Sequence, residues 1–420
     1  MIFKSKYIIF FIFIFISTCN TGSVSDNLNN ETEKSSFYVY GTSFYSSIVD
    51  IAVHSNENCK VIDNEDFESF TDEQKEEVLK KCNDSLLTGG TGTFITSDGY
   101  IITNQHVTVG GVYFEIYTYA EYDIEEDIFI DPTTGERIQI LEAELVASSQ
   151  CNDISLLKVN SDKEFNHLEW YGDDFKPGLE VYTLGYPGIA QGNIAVTTGV
   201  ISYLDSDGNT AWTAPGYETF AHTSPIFSGN SGGPVVSAEG KIVGINNMTY
   251  QPPGEDFSIS NAINNDYAQY IVNEYLIKGT DYRDIGMESK ATDMWWYFNE
   301  GDDRSFTLHF IEILQPNGIA DVGGLNEGDL LIEVNNERIG EFESSHQFCE
   351  VLKEWENSEN NSIDYIAYSC SDSLFYKGTF NKDKSSSSIE NGIGNRYLNE
   401  FTSDDFDLVC DNFLDSYYDS

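Results

Sequence analysis

Basic side chains are scarce in this 420-residue chain, which has 22 lysines and arginines against 70 aspartates and glutamates. The formal net charge at pH 7 is −48 with neutral histidines. An electrostatic field of that sign repels phosphate backbones and anionic lipid headgroups. The composition therefore argues against nucleic acid and anionic membrane surfaces as partners. It favours solubility, or adaptation to a salty exterior, and attraction of basic substrates is the alternative.

Apolar runs long enough to cross a membrane are also missing. The N-terminal apolar run, residues 7–16, follows Lys4 and Lys6. About ten helical residues, at ~1.5 Å rise each, cannot span a hydrocarbon core of about 30 Å. The run therefore predicts a signal peptide over 1–18 and an exported protein of the periplasm or cell envelope. The segment Ile16-Ser17-Thr18-Cys19 resembles a bacterial lipobox, which predicts lipidation of Cys19, with ordinary cleavage as the alternative.

No cysteine spacing has the form of a zinc site, so no metal is expected. Setting the lipobox cysteine aside leaves six cysteines, an even number in an exported chain. Proximity in sequence predicts two disulfides, Cys59 with Cys82 and Cys349 with Cys370. Each would close a loop of about 20 residues and stabilise the fold by roughly 3 kcal/mol. The remaining two, Cys151 and Cys410, are far apart in sequence and are candidates for free thiols.

Short runs of Val, Ile, Thr, Tyr and Phe between turn residues fill most of the chain, which indicates β structure more than a helix bundle. The length favours two domains with flanking segments. We expect a signal peptide at 1–18, a flexible tether at 19–36, a first β domain at 37–278, a second at 279–382 and an acidic tail at 383–420. The tail is either disordered or docked.

Three helices are expected within this β framework. Thr71 to Gln74 has the form of a capping box and opens a helix that ends near Cys82. Aromatic and aliphatic residues at helical spacing predict a helix over about 264–277, at the end of the first domain. A third helix is predicted over Ser344 to Trp355, with an apolar face formed by Phe348, Val351, Leu352 and Trp355.

The strongest chemical signal is the segment Gly229-Asn230-Ser231-Gly232-Gly233-Pro234. A serine hydroxyl is a poor nucleophile and needs a base beside it. Glycines let the loop Gly229-Asn230-Ser231 bend so that amide N–H groups, those of Gly229 and Ser231 first, point at a developing oxyanion. By itself, the segment is also compatible with a glycine-rich turn that holds an incidental serine.

A histidine and an aspartate precede that serine. Residues 92–107 have the pattern of a β-hairpin that places His106 just past its second strand. Asp153 leads directly into an apolar strand, where a carboxylate can be partly buried and can accept the N–H of His106. Each residue alone has a structural interpretation, but the order His, Asp, Ser is that of the chymotrypsin triad.

Together these segments resemble the HtrA/DegP family of trypsin-like proteases. Further matching segments are Gly185-Tyr186-Pro187, residues 196–201 and residues 243–246. The resemblance covers most of residues 37–275. It implies a mainly β fold of two perpendicular six-stranded β-barrels, with His106, Asp153 and Ser231 as a catalytic triad in the cleft between them.

The resemblance implies peptide-bond hydrolysis in two steps without a metal or an organic cofactor. Ser231 would attack a peptide carbonyl, His106 would act as base and then as acid, and Asp153 would orient the ring. Residues 223–224 are Thr-Ser, where many relatives carry Asp-Ala. We see no acidic residue there to select Lys or Arg, so a small or medium apolar side chain is expected before the scissile bond.

Two other features of the first domain match the family. Its members carry a regulatory insertion after the first strand, sometimes disulfide-bonded, which corresponds to the segment with Cys59 and Cys82. The aromatic run from Phe37 to Tyr45 corresponds to the place where family trimers pack their N-termini. The resemblance therefore implies a homotrimer.

The second β-rich domain resembles a PDZ domain. Tyr282 to Met287 matches the start of such a domain, and Gly324 to Asn335 matches its turn, strand and acidic loop. The resemblance implies that a C-terminal peptide adds as a strand, with its carboxylate held by the loop of Ile285, Gly286 and Met287. A Trp-rich acidic insertion at 293–303 leaves open a PDZ fold that packs without binding.

The leading prediction is therefore an envelope protease with a PDZ domain that degrades unfolded or damaged exported proteins. A peptide-binding or chaperone protein with an inactive protease domain is the alternative. A narrow digestive or signalling protease is disfavoured by the second domain.

Overall fold

A computed structural model of the chain describes residues 44–57, 59, 70–119, 121–123, 128–130, 140–190, 192–204, 219–250, 258–273, 284–293, 307–339, 344–393 and 403–418. The predicted signal segment, the lipobox with Cys19 and the tether lie outside these residues. Among the residues described, no helix is both long and apolar enough to cross a membrane.

The first part of the chain closes into a six-stranded antiparallel barrel in the order β1-β2-β3-β8-β7-β4. These strands are β1 (Ile48–His54), β2 (Leu86–Phe94), β3 (Tyr100–Thr103), β4 (Tyr113–Thr118), β7 (Leu141–Ser149) and β8 (Ile154–Val159). The short strands β5 (Glu121–Asp123) and β6 (Ile128–Ile130) form a separate ribbon. Apolar side chains that alternate along the strands fill the barrel, among them Ile51, Phe94, Ile116 and Leu157.

A second barrel of six strands follows, in the order β10-β11-β14-β13-β12-β9. Its strands are β9 (Glu180–Gly185), β10 (Ala195–Leu204), β11 (Thr219–His222), β12 (Pro234–Ser237), β13 (Ile242–Tyr250) and β14 (Ile259–Asn264). One buried cluster combines Ile48, Ile102 and Leu156 of the first barrel with Leu184 and Ile245 of the second. The two barrels therefore share apolar core, and the mainly β double-barrel fold predicted from the sequence is confirmed.

The rest of the chain forms a seven-stranded sheet, here called the third sheet. Its strands are β15 (Met287–Asp293), β16 (Thr307–Leu314), β17 (Leu330–Val334), β18 (Glu337–Arg338), β19 (Ser362–Ser369), β20 (Leu374–Asn381) and β21 (Glu390–Asn391). The main path is β15-β16-β17-β19-β20-β21, and β18 pairs with β17.

Six α-helices are described: α1 (Asp72–Asn83), α2 (Gln105–Thr108), α3 (Asn265–Ile271), α4 (Ile319–Val322), α5 (Ser344–Asn357) and α6 (Ser403–Tyr418). The capping box of α1 forms as predicted, because the Gln74 N–H donates to Thr71 and the Thr71 N–H donates to the Gln74 side chain. On α5 the four predicted apolar residues are all buried. Of the helix predicted over 264–277, residues 274–277 lie outside the described residues.

Three disulfides are present among the described residues, and two of them differ from the prediction. Cys59 bonds to Cys82, as the sequence predicted. The Cys349–Cys370 prediction is wrong, because Cys349 bonds to Cys151, 198 residues away, and Cys370 bonds to Cys410. Cys151 and Cys410 are therefore not free thiols. Proximity in sequence failed because folding packs α5 against the turn that holds Cys151.

The acidic C-terminal segment docks through α6. Phe406, Val409 and Cys410 are buried in a cluster with Phe375 of the third sheet. The Tyr368 hydroxyl donates to Asp407 at 2.7 Å, and the Cys370–Cys410 bond fixes the same contact. Of the two alternatives for this segment, the docked one is observed for the described residues 403–411.

Candidate active site

The three residues expected to form a triad lie on three separate loops. His106 sits on α2, the single turn of helix that follows the β2–β3 hairpin. Asp153 ends the 3₁₀ turn Gln150–Asn152 with a left-handed φ of 48° and leads into β8. Ser231 lies in the loop between β11 and β12. The first barrel therefore supplies the imidazole and the carboxylate, and the second supplies the hydroxyl.

His106 is bound tightly to Asp153. Its Nδ1 lies 2.9 Å from Oδ1 and 3.0 Å from Oδ2, and its backbone N–H donates to Oδ1 at 3.0 Å. A carboxylate accepts only, so Nδ1 carries the proton and Nε2 of the neutral ring keeps its lone pair. Burial acts to lower the pKa of His106, but the charge and hydrogen bond of Asp153, with a contribution from Glu288, raise it overall. The ring is therefore positioned and electrostatically prepared to accept a proton at Nε2.

Asp153 is 1% exposed, and its carboxylate has a further partner that the sequence analysis missed. Asn247 on β13 donates from Nδ2 to Asp153 Oδ2 at 2.9 Å, and its carbonyl oxygen accepts from the Ser231 hydroxyl at 3.4 Å. Asn104 also donates to the Asp153 carbonyl at 2.9 Å. Asn247 thus links the acid with the serine across the two barrels. The available signal was the polar pair Asn246-Asn247 directly after the apolar start of the strand, residues 242–245.

The Ser231 loop depends on glycine at two positions. Gly229 has φ of 98° and Gly232 has φ of 80°, both in the left-handed region that favours glycine. A Cβ on Gly232 would lie 2.3 Å from the carbonyl oxygen of Thr91 and 2.1 Å from the Thr103 hydroxyl. The loop therefore packs its backbone directly against β2, with Thr91 N–H donating to the Ser231 carbonyl at 2.9 Å.

Two N–H groups of this loop are available for an external acceptor. Within the described part of the chain, the backbone N–H groups of Gly229 and Ser231 donate no hydrogen bond. The N–H of Asn230, in contrast, donates to the Phe227 carbonyl at 2.9 Å. Of the predicted oxyanion loop, the N–H groups of Gly229 and Ser231 therefore have no acceptor among the described residues, while the Asn230 N–H is used within the turn.

The residue after His106 and the nucleophile candidate Ser231 both contact β2 at Gly90. A Cβ on Gly90 would lie 2.8 Å from the Val107 side chain and 3.2 Å from the Ser231 carbonyl oxygen. Among the described residues, the Ser231 hydroxyl donates to Asn247 and forms no hydrogen bond with the His106 ring. Val107 and Ser231 thus lie against the same residue of β2, and the Ser231 hydroxyl is turned toward β13.

Comparison with known proteins identifies the first two barrels. Residues 90–245 match the family model of the trypsin-like peptidase domain, a range that contains His106, Asp153 and Ser231. The chain contains a trypsin-like peptidase domain. A probable periplasmic serine endoprotease DegP-like of Bartonella henselae is 30% identical over 256 residues, which cover 60% of this chain and 46% of that relative. The protein of the same name from Rhizobium meliloti is 31% identical over 252 residues, 60% of this chain and 45% of the relative.

The chain is therefore aligned with less than half the length of these curated relatives. Among solved structures, the serine endoprotease from Yersinia pestis aligns with a TM-score of 0.40 and 18% identity, over 84% of this chain and 97% of that chain. The name DegP-like endoprotease is carried by the two curated relatives, at 30% and 31% identity.

Three hydroxyl side chains lie on the side of the peptidase domain next to the Ser231 loop, and of these Ser224 is buried, Thr197 is partly buried and Thr223 is exposed. Ser224 and Thr197 share a hydroxyl hydrogen bond of 2.7 Å, and the Thr223 hydroxyl accepts the Val200 N–H at 2.9 Å. Thr223 and Ser224, the two residues that depart from the family pattern, therefore tie the loop to β10. The apolar cleavage preference inferred from them stays a prediction.

His222 at the end of β11 is buried, and this burial lowers its pKa to about 4. In the unfolded chain His222 binds a proton near pH 6.5. The contribution of the neutral, buried ring to the free energy of unfolding is therefore fully present above pH 6.5 and is lost as the pH falls toward 4. We expect roughly 2–3 kcal/mol of the wild-type loss between pH 7 and 4.5 to be absent in His222→Gln. Urea unfolding at both pH values measures it. The exposed control His167→Gln should lose as much as wild type; equal losses in all three would contradict the assignment.

Potential metal ligands converge at one place among the described residues, where His54, Cys59 and Cys82 bring ligand atoms within 4.8 Å of one another. Both cysteines are consumed by their mutual disulfide, so this group offers one imidazole only. His54 Nε2 lies 3.4 Å from Glu115 in the same buried pocket. The group joins the segment after β1 to the first barrel.

The three residues predicted to form a carboxylate-binding loop lie at the start of the third sheet. Ile285 and Met287 are fully buried, and Gly286 has φ of 74°. The Gly286 N–H donates to the Asp284 carboxylate at 2.7 Å, and the Ile285 carbonyl accepts from Ala320 at 2.8 Å. A peptide carboxylate at Gly286 would therefore have to replace Asp284.

Proposed function

We propose that this chain is a serine endopeptidase of the HtrA/DegP type. The observation that carries the proposal is the 2.9 Å contact of His106 Nδ1 with the buried Asp153, next to a serine loop with two available N–H donors. This set contains a base, its orienting acid, a nucleophile and an anion site, which are the parts that acyl transfer requires.

In the proposed mechanism the Ser231 hydroxyl first turns from Asn247 toward His106. His106 Nε2 takes the hydroxyl proton while the oxygen attacks a peptide carbonyl, and the imidazolium is stabilised by Asp153. The N–H groups of Gly229 and Ser231 stabilise the oxyanion. The ring then returns the proton to the leaving amine, and water hydrolyses the acyl-enzyme by the same route in reverse.

The proposed setting is the cell envelope. The N-terminal pattern supports export, and the curated relatives are named periplasmic endoproteases. Unfolded or damaged exported polypeptides are the proposed substrates, and no nucleic acid partner or cofactor is proposed. The same proposal includes lipidation at Cys19 and a homotrimer packed through the aromatic run that ends at Tyr45. It also includes the domain bounds 37–278 and 279–382.

The third sheet is proposed to be a PDZ domain that binds C-terminal peptides. In support, Ile285, Gly286 and Met287 form the turn that enters β15, and α5 packs an apolar face within the same domain. An added peptide strand would gain backbone hydrogen bonds and place its carboxylate at this turn.

A binding or chaperone protein with an inactive peptidase domain is the second candidate. One observation favours it, because the Ser231 hydroxyl donates to the Asn247 carbonyl and not to His106. A resting protease has the same geometry if the hydroxyl turns when substrate arrives, since catalytic hydrogen bonds tighten in the substrate complex.

Covalent labelling separates the two candidates. A fluorophosphonate probe should label Ser231 in the full chain, and casein should be degraded by wild type but not by Ser231→Ala. Loss of the nucleophile is expected to lower kcat by roughly 10⁶-fold. The matched control is Ser228→Ala in the same loop, which should keep label and activity. Absence of both label and cleavage in wild type would favour the binding protein.

A further inference from the structure

We propose that the Cys151–Cys349 disulfide is a redox-sensitive clamp that holds the third sheet against the His106 side of the first barrel, and that its reduction opens this contact. The clamp is a structural claim that does not depend on the proposed function. Its consequence for peptide hydrolysis rests on that function.

The disulfide lies at a sensitive position. Cys151 belongs to the 3₁₀ turn that ends at Asp153, and Cys349 belongs to α5 of the third sheet's domain. Both side chains are buried, at 3% and 7% exposure. The bond joins the first barrel covalently to α5, two residues from the carboxylate that binds His106. The Cys59–Cys82 and Cys370–Cys410 bonds each lie within one unit and cannot serve this purpose.

The third sheet also makes noncovalent contacts with the first barrel. They involve the segment directly after α2, the helix that carries His106. Gln315 accepts the Gly110 N–H at 2.9 Å through Oε1 and donates from Nε2 to the Gly111 carbonyl at 2.8 Å. A Cβ on Gly110 would lie 2.7 Å from a methyl group of Ile313. The end of β16 is thus seated on the loop that leaves α2. Ser148 donates to Asp284 on the same side.

Glu288 is the group that opposes this contact. It pairs with Ile313 in the β15–β16 register, at the end of the third sheet that contacts Gly110, and it is partly buried there. Burial raises its pKa to about 8, His106 acts against the rise, and Glu312 and Asp153 add to it. When the sheet is released into water, the carboxyl ionises near its usual pKa of about 4.3.

The sign of the pH effect follows from this difference. Because the pKa of Glu288 is raised in the docked state, docking is fully favoured when the carboxyl is protonated, below about pH 4.3. Docking weakens as the pH rises from there to the docked value of about 8. At neutral and alkaline pH the tendency of Glu288 to ionise therefore weakens docking through the noncovalent contacts. The disulfide holds the third sheet in place despite this weakening.

A dithiol reductant supplies the chemistry. Its thiolate attacks one sulfur of the Cys151–Cys349 bond and forms a mixed disulfide, while the other protein sulfur leaves as a thiolate. The second thiol of the reductant then closes its own disulfide and frees the second cysteine. Two electrons pass to the protein, two protons end on Cys151 and Cys349, and the reductant is oxidised. Release also removes Glu288 from the surroundings of His106, where it contributes to the raised pKa of the ring, and the proposal includes a resulting increase in hydrolysis of a protein substrate.

Hydrogen exchange at Gly110 reports docking without reference to activity, because its N–H is bonded to Gln315. In the full chain at pH 8, reduction or Cys349→Ser should lower the protection factor of the Gly110 segment by at least about tenfold. At pH 5 the loss should be smaller. The double variant Cys349→Ser/Glu288→Gln should regain protection at pH 8, because the amide stays neutral, and this rescue also shows that the variant folds. The control Cys349→Ser/Glu350→Gln, changed at an exposed α5 carboxylate, should not regain it.

The outcomes separate the clamp from the proposed function. Unchanged Gly110 protection, with the Cys151–Cys349 bond shown open by mass mapping, overturns the clamp. Lost protection with a rise of casein hydrolysis of about threefold or more supports both clamp and gating. Lost protection with unchanged hydrolysis overturns the gating alone. If neither redox state labels with fluorophosphonate, the proposed function fails while the exchange data still decide the clamp.

Discussion

Asp153→Asn is expected to lower kcat by about 10⁴-fold while the fold stays intact. The aspartate accepts the Nδ1 proton of His106 and so leaves Nε2 free to accept a proton from Ser231. An asparagine amide facing the ring would donate to Nδ1 instead, and the proton would move to Nε2. The ring would then present a donor to the serine hydroxyl and could not act as a base.

The measurement is kcat on a casein-derived peptide, together with the urea midpoint of the variant. In wild type, Asn247 donates a hydrogen bond to the Asp153 carboxylate. In Asp153→Asn the new side-chain amide can face the amide of Asn247, so some loss of stability accompanies the loss of rate. The exposed control Asp162→Asn should change neither quantity. A rate for Asp153→Asn within tenfold of wild type would contradict the assigned roles of His106 and Asp153.

Gly232→Ala is expected to cost about 3–5 kcal/mol of stability and to abolish detectable hydrolysis. The new Cβ would lie 2.3 Å from a backbone oxygen on β2, so a flexible side chain cannot move aside to relieve the contact. The left-handed φ of 80° adds strain to the clash. Because Gly232 follows Ser231, relief of the clash must displace the nucleophile and its N–H.

Gly178→Ala separates the two contributions. Gly178 also has a positive φ, of 95°, but a Cβ there would meet no atom within 4 Å. It should therefore show the backbone strain alone, about 1–2 kcal/mol, with normal hydrolysis. Thermal and urea unfolding of both variants, with kcat, test this. Equal stability costs at the two positions would show that the clash with β2 is not the reason for glycine at 232.

Local chemistry made much of this molecule predictable. Three features depend only on residues that are close together in the sequence, so residue spacing specifies them. They are the capping box at Thr71, the apolar face of α5 and the hairpin before His106. The serine loop was recognisable because glycine is required where the backbone has positive φ. Asn247 was missed, because its role depends on contacts with Asp153 and Ser231, residues far away in the chain.

The sequence by itself determined the β-rich fold and singled out His106, Asp153 and Ser231 as candidate catalytic residues, because short strand patterns and glycine requirements act over short distances. Only the tertiary structure decided which cysteines meet, that Asn247 joins the acid to the serine, and that Glu288 is partly buried within electrostatic reach of His106. These features arise from packing between segments up to 198 residues apart, and no local spacing encodes which buried surfaces come together.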